Sequence, residues 1–141
     1  MSVLEQQANN AEILILGAGA VGLTTALLCA NKGFKVAVIE QNKPNLTYSL
    51  DQYDLRCSAI SRKSQRILEK VGVWEEIASE RVSPYRSMCV WDALGFSEIT
   101  FNAAEVAEPD LGHIVENRNI LRALWKAAQK IPHITLLSLI H

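Results

Sequence analysis

Residues 13–41 read ILILGAGAVGLTTALLCANKGFKVAVIEQ, and what this stretch does decides the fold. Eighteen residues from Ile13 to Ala30 carry no charge, which just reaches the lower length for a membrane-spanning helix. Three features argue against a span. Glycines interrupt the run at Gly17, Gly19 and Gly22, a β-favouring Ile-Leu-Ile-Leu precedes them, and neither end is flanked by a cluster of Lys or Arg. A secretory signal is not expected either, because Met1 to Glu12 contains two Glu and no basic residue.

Read as a nucleotide site, every part of the stretch has a use. Ile13 to Leu16 predicts a buried parallel strand. Gly17 permits the tight turn, Gly19 lets the backbone approach a pyrophosphate, and Gly22 lets helix and strand pack closely. The helix is expected from Ala20 to about Asn31, and its first-turn N–H groups, at the positive end of the helix dipole, suit a phosphate. Lys32 and Gly33 end the helix, and Phe34 to Ile39 predicts a second strand. Glu40 closes that strand where a carboxylate accepts hydrogen bonds from a ribose, with Gln41 beside it. An acid there repels a 2′-phosphate, which disfavours NADP and leaves NAD or FAD.

The composition is that of an ordinary globular domain: 141 residues, 49% hydrophobic, formal charge −1. There is no basic patch, polybasic tail or aromatic-interleaved stripe of the kind that nucleic-acid binding requires. Cys29, Cys57 and Cys89 are odd in number and form no CxxC, which fits a reducing compartment, and His113, His133 and His141 lack zinc-ligand spacing, so no metal site is expected. Loose structure is expected in the first ten residues, from Asn42 to Leu55, and from Ala104 to Leu111.

Beyond the βαβ unit, Ser61 to Val71 reads as an amphipathic helix capped by Ser58 or Ser61 and stopped by Gly72. Arg56, just upstream, is either a solvated loop charge or a phosphate partner. Tyr85 to Asp92 and Glu98 to Asn102 read as a hairpin around ALGF, with Val90 and Trp91 as packing residues. A short strand at His113 to Val115 precedes a helix from about Arg118 to Lys130, with Asn117 at its N-cap and Ile120, Leu121, Leu124 and Ala128 as its apolar stripe. The final HITLLSLI reads as a third buried parallel strand.

Taken together, GAGAVGL, IEQ, LRCSAIS, VGVWEEI, VWDALGF and GHIVENRNILRALW resemble the ubiquinone-biosynthesis aromatic hydroxylases, within the flavin monooxygenases related to 4-hydroxybenzoate hydroxylase. The glycine motif is shared by many enzymes, whereas the SAIS, VGVW and GHIVEN segments are more particular to this family. The resemblance implies a Rossmann-type α/β FAD-binding domain over residues 12–141, after a flexible N-terminus at 1–11, in an enzyme that uses FAD, NAD(P)H and oxygen to hydroxylate a polyprenylated phenol. It also implies that Gly17, Gly19, Ala20 and Gly22 approach the pyrophosphate and that Glu40 and Gln41 meet the adenosine ribose. Arg56 and Asn117 then lie beside the flavin and its ribityl chain. Chemistry belongs to the flavin, so no catalytic side chain is expected.

Family members are much longer. This chain is therefore expected to be an N-terminal portion, inactive alone and prone to self-association, of a cytoplasmic protein peripheral to the inner membrane and associated with other ubiquinone-biosynthesis proteins. Two rivals share the first forty residues: an NAD-dependent or other FAD oxidoreductase, and a non-catalytic nucleotide-binding module.

Overall fold

A computed structural model describes residues 10–49 and 51–138. The expected flexibility of residues 1–9, the end of the last apolar strand at Ile140 and the site of His141 lie outside the described residues.

The first βαβ unit forms as its pattern predicts. Strand β1 (Ile13–Leu16) leads through the glycines into helix α1 (Ala20–Ala30), and β2 (Val36–Glu40) returns parallel to β1 with Ile13 opposite Val36. Gly33, at φ 92°, takes the left-handed conformation that lets the chain leave the helix sharply. Strand β8 (Ile134–Ser138) adds parallel to the other edge of β2, so the sheet order is β1-β2-β8.

Helix α4 (Asn117–Lys130) connects into β8, and α1 and α4 pack together over one face of the sheet. Leu23, Ala26, Leu27 and Ala30 lie on one side of α1 and are buried, as are Ala123, Leu124 and Ala128 of α4. The alanines let the two helices approach closely while the leucines fill the space above Val36 and Val38.

A second sheet, of which the sequence reading held only the strand at His113 to Val115, follows the βαβ unit along the chain. Strand β3 (Cys57–Ser61) and strand β4 (Val82–Tyr85) flank β7 (Gly112–Glu116), both antiparallel to it. Helix α2 (Arg62–Lys70) follows β3, with the Ser61 hydroxyl accepting the Ser64 N–H at 3.3 Å; Ser61, not Ser58, is the cap. Short helix α3 (Trp74–Ala78) buries Ile77 beneath α4.

The expected hairpin forms, but Tyr85, at the start of its first expected strand, ends β4 instead. The Tyr85 carbonyl accepts from Leu111, just before β7, whereas the next carbonyl, Arg86, accepts from Ala103, just past the hairpin, so the chain passes from one sheet to the other here. From there β5 (Ser87–Trp91) pairs only with β6 (Glu98–Asn102), and a 3-10 turn (Ala103–Val106) overlaps the start of the stretch expected to be loose.

The β5–β6 hairpin is amphipathic. Met88 faces Phe101 and Val90 faces Ile99 on one side, and this side remains open. Val90 and Trp91 are 50% and 69% exposed and so do not pack as the sequence reading expected. Strand β1 departs from expectation similarly: Leu14 and Leu16 are 55% and 78% exposed, and β1 bonds to β2 alone among the described strands. No helix among the described residues is long and apolar enough to cross a membrane.

Candidate functional site

The glycine loop is built by three different constraints. Gly17 sits at φ 97°, where a side chain is strained, and its N–H donates to the Ile39 carbonyl at 2.7 Å, tying the loop to the end of β2. A Cβ at Gly22 would lie 2.0 Å from the Gly17 carbonyl oxygen, so helix and loop touch there. Gly19 is different. Its backbone is extended (φ −74°, ψ −178°), and a Cβ built on it would meet no atom within 4 Å.

Gly19 is the N-cap of α1, and no side chain caps the helix. The first intrahelical bond runs from the Leu23 N–H to the Gly19 carbonyl at 2.9 Å, so the amides of Ala20, Val21 and Gly22 have no acceptor within the helix. No acid lies in the first turn. The open volume above Gly19 therefore faces donors and the positive end of the dipole, which is what an anionic pyrophosphate requires.

Glu40 is held at the edge of this volume. One carboxylate oxygen accepts the Ala18 N–H at 2.7 Å and the other accepts the Asn42 N–H at 3.1 Å. The Ala18 bond first, with the Asn42 and Gln41 amides, outweighs burial and holds its carboxyl below the usual range, so Glu40 is anionic at neutral pH. A carboxylate has about four acceptor positions. These amides do not use all of them, which leaves acceptor capacity for a ribose hydroxyl. Gln41 is exposed in the bend after β2. The anchoring of the loop by Glu40 through Ala18 was not foreseen, because motif spacing places the acid but does not reveal its second bond.

Arg56 and Asn117, far apart in sequence, are brought together at one end of the β3–β7 ladder, where Cys57 is opposite Glu116. The Asn117 N–H donates to the Arg56 carbonyl at 2.9 Å. Asn117 is the first residue of α4 rather than its N-cap; Glu116, extended at φ −65° and ψ 132°, takes that position. The Asn117 side chain is instead used laterally, its Oδ1 accepting the Ser58 hydroxyl at 2.6 Å. That bond leaves the Asn117 Nδ2 group as a donor. The Arg56 side chain is exposed.

A parallel sheet with a glycine turn, an uncapped helix N-terminus and an acid closing the second strand defines a Rossmann-type dinucleotide-binding domain. Residues 10–136 match the FAD-binding domain family, and the chain belongs to that family. It is 41% identical over 125 residues to 3-demethoxyubiquinol 3-hydroxylase of Escherichia coli (strain K12), a match covering 89% of this chain and 32% of the enzyme. The mitochondrial ubiquinone biosynthesis monooxygenase COQ6 of Danio rerio is 34% identical over 127 residues, covering 85% of this chain and 26% of that protein. The chain thus spans about a third or less of the curated relatives it matches. Among solved structures, PqsL, a probable FAD-dependent monooxygenase from Pseudomonas aeruginosa, superposes with a TM-score of 0.64 at 18% identity, over 91% of this chain and 32% of that one. The flavin-dependent monooxygenase PieE, solved with FAD and substrate, gives 0.65 at 15% identity, over 91% and 23%. These two likenesses establish the fold.

Proposed function

We propose that this chain forms the nucleotide-binding part of an FAD-dependent monooxygenase that hydroxylates the ring of a polyprenylated phenol in ubiquinone biosynthesis, with NAD(P)H as reductant and oxygen as co-substrate. The observation that carries the cofactor is the open, donor-lined volume over Gly19 beside the anchored Glu40. The substrate class rests on the identity to the Escherichia coli hydroxylase. When bound, the flavin supplies the oxygen-transfer chemistry; this chain supplies binding and orientation. Gly17, Gly19, Ala20 and Gly22 receive the pyrophosphate, Glu40 and Gln41 receive the ribose, and Arg56 and Asn117 present donors toward the flavin half of the cofactor. The protein acts in the cytoplasm at the surface of the inner membrane, beside other enzymes of the same route.

In the full-length protein, Glu40→Ala is expected to weaken FAD binding by about 1.5 to 3 kcal/mol, the range for hydrogen bonds to a charged group, or roughly ten- to 150-fold in Kd. Titration of the apoprotein by flavin fluorescence quenching measures this. An unchanged Kd refutes the ribose assignment, and a protein that binds nicotinamide nucleotide but no flavin refutes the cofactor.

The 141-residue chain on its own is expected to self-associate. The open edge of β1, with Leu14 and Leu16 beside it, and the apolar side of the β5–β6 hairpin are surfaces that monomeric proteins rarely leave uncovered. Sedimentation equilibrium tests this. A monomer at micromolar concentration and above would contradict it.

A further inference from the structure

The described residues of 47–56 form no regular strand or helix, yet they are bound to the rest of the molecule by charge. Burial does not explain its position: Leu55 is fully exposed, and Leu46, just before it, is the aliphatic side chain among the described residues of 42–56 that packs against the core. The Tyr48 hydroxyl donates to Glu80 at 3.0 Å and Arg81 donates to the Gln52 carbonyl at 2.8 Å, and Arg118 makes the largest set of ties. The Arg118 Nε donates to Glu116 at 2.7 Å, its Nη2 donates to the Gln52 carbonyl, its guanidinium lies 4.2 Å over the Tyr48 ring, and its backbone N–H donates to Asp54 at 3.1 Å.

Glu116, only 7% exposed, completes the latch. It accepts the Asp54 N–H at 3.1 Å and pairs with Arg81 at 2.9 Å, while Arg81 stacks over Tyr53 at 4.3 Å. The latch leads directly to the candidate site. The second Asp54 oxygen accepts the Arg56 N–H at 3.1 Å, and the Arg56 carbonyl accepts the Asn117 N–H at 2.9 Å. Asp54 thus bridges two backbone amides, those of Arg118 and Arg56, and fixes the strap against the first turn of α4.

Resting on the cofactor reading above, we propose that Arg118 and Glu116 are positioning residues for that site: they latch the strap so that Arg56 and Asn117 are presented together to the flavin nucleotide. A charged latch suits this task because its bonds are directional, fixing the Arg56 backbone in register with Asn117, whereas apolar burial would hold the strap without setting its register. Arg is required rather than Lys, since one planar group stacks on Tyr48 and bonds Glu116 and Gln52 at once.

The test is a double-mutant cycle on FAD binding in the full-length protein, with Arg118→Ala, Arg56→Ala and the pair. Arg118→Ala is expected to raise the FAD Kd at least tenfold and to increase tryptic cleavage after Arg56 in the apoprotein. In the Arg56→Ala background the same change is expected to add little, because Arg118 acts through Arg56. Arg118→Lys is expected to restore only part of the affinity. If Arg118→Ala does not fold, Asp54→Asn takes its place in the cycle.

A lowered unfolding temperature with unchanged Kd well below it, or fully additive effects of the two substitutions, overturns the proposal. The underlying reading is judged separately. If Arg118→Ala leaves Kd unchanged while Gly19→Val abolishes binding, the latch falls and the nucleotide site stands; if Gly19→Val also retains FAD, the nucleotide site itself falls.

Discussion

Gly19→Val in the full-length protein is expected to purify folded but stripped of FAD. The extended backbone at Gly19 (φ −74°, ψ −178°) is one a β-branched residue adopts readily, and a Cβ there meets no protein atom within 4 Å. Nothing in the polypeptide opposes the substitution. The space the side chain would occupy is the approach to the free amides of α1, so the cost falls on the ligand alone. Losing two charge-assisted hydrogen bonds to a pyrophosphate, each worth about 1.5 to 3 kcal/mol, raises Kd by more than about hundredfold. The flavin absorbance of the purified variant against its circular dichroism and unfolding temperature measures the two effects apart. Normal flavin content refutes the assignment, and loss of fold together with flavin shows that Gly19 is packed rather than open.

Legibility in the sequence divided along the distance between interacting residues. The unit from β1 to β2 could be read because all its determinants are local: apolar alternation, glycines at fixed offsets, and an acid closing the strand. The β8 strand was legible from its two-sided apolar composition, which parallel strands buried on both faces require. Of the β3–β7–β4 sheet only β7 was read, as a lone strand at His113 to Val115. Its register joins Cys57 to Glu116 and Val82 to Val115, and segments so far apart leave no periodic trace in either one. The break at Arg86 was hidden for a related reason, because a strand that changes partner keeps its alternation.

The candidate site shows the same division. Glu40 was placed by the motif, but its bond to Ala18 depends on the loop folding back over β2. Arg56 and Asn117 were singled out through a family resemblance, and the geometry adds that their backbones are hydrogen-bonded to each other. Asn117 was misread as a cap since Asn is a favoured capping residue; the strand-to-helix junction instead gives that position to Glu116, whose side chain is committed to Arg81 and Arg118. Nothing in the sequence singles out Asp54, Glu116 and Arg118 as a set; the fold brings them together.

The three glycines of the motif differ most sharply in what alanine would do at Gly22. In a helix with free space, Gly→Ala is stabilising by about 1 kcal/mol, so propensity alone predicts a more stable protein. The structure predicts the opposite sign. The added methyl would lie 2.0 Å from the Gly17 carbonyl oxygen and 3.2 Å from its carbon, with the Ile15 side chain at 3.4 Å. Neither side can withdraw easily: the loop is tied by Gly17 to Ile39 and by Ala18 to Glu40, and α1 is fixed by Leu23, Ala26 and Leu27 in the core. Overpacking against backbone costs at the upper end of about 1 to 3 kcal/mol, which exceeds the propensity gain. Gly22→Ala is therefore expected to lower the unfolding temperature of the apoprotein by several degrees, roughly 2 to 4 °C per kcal/mol in a larger domain. Its FAD affinity falls as well, since separating α1 from β1 displaces the amides that receive the pyrophosphate. Calorimetry of apo Gly22→Ala beside apo Gly19→Val decides the matter: a stabilised Gly22→Ala would show that helix and strand are not in contact here, and that the third glycine is a permissive residue of the turn.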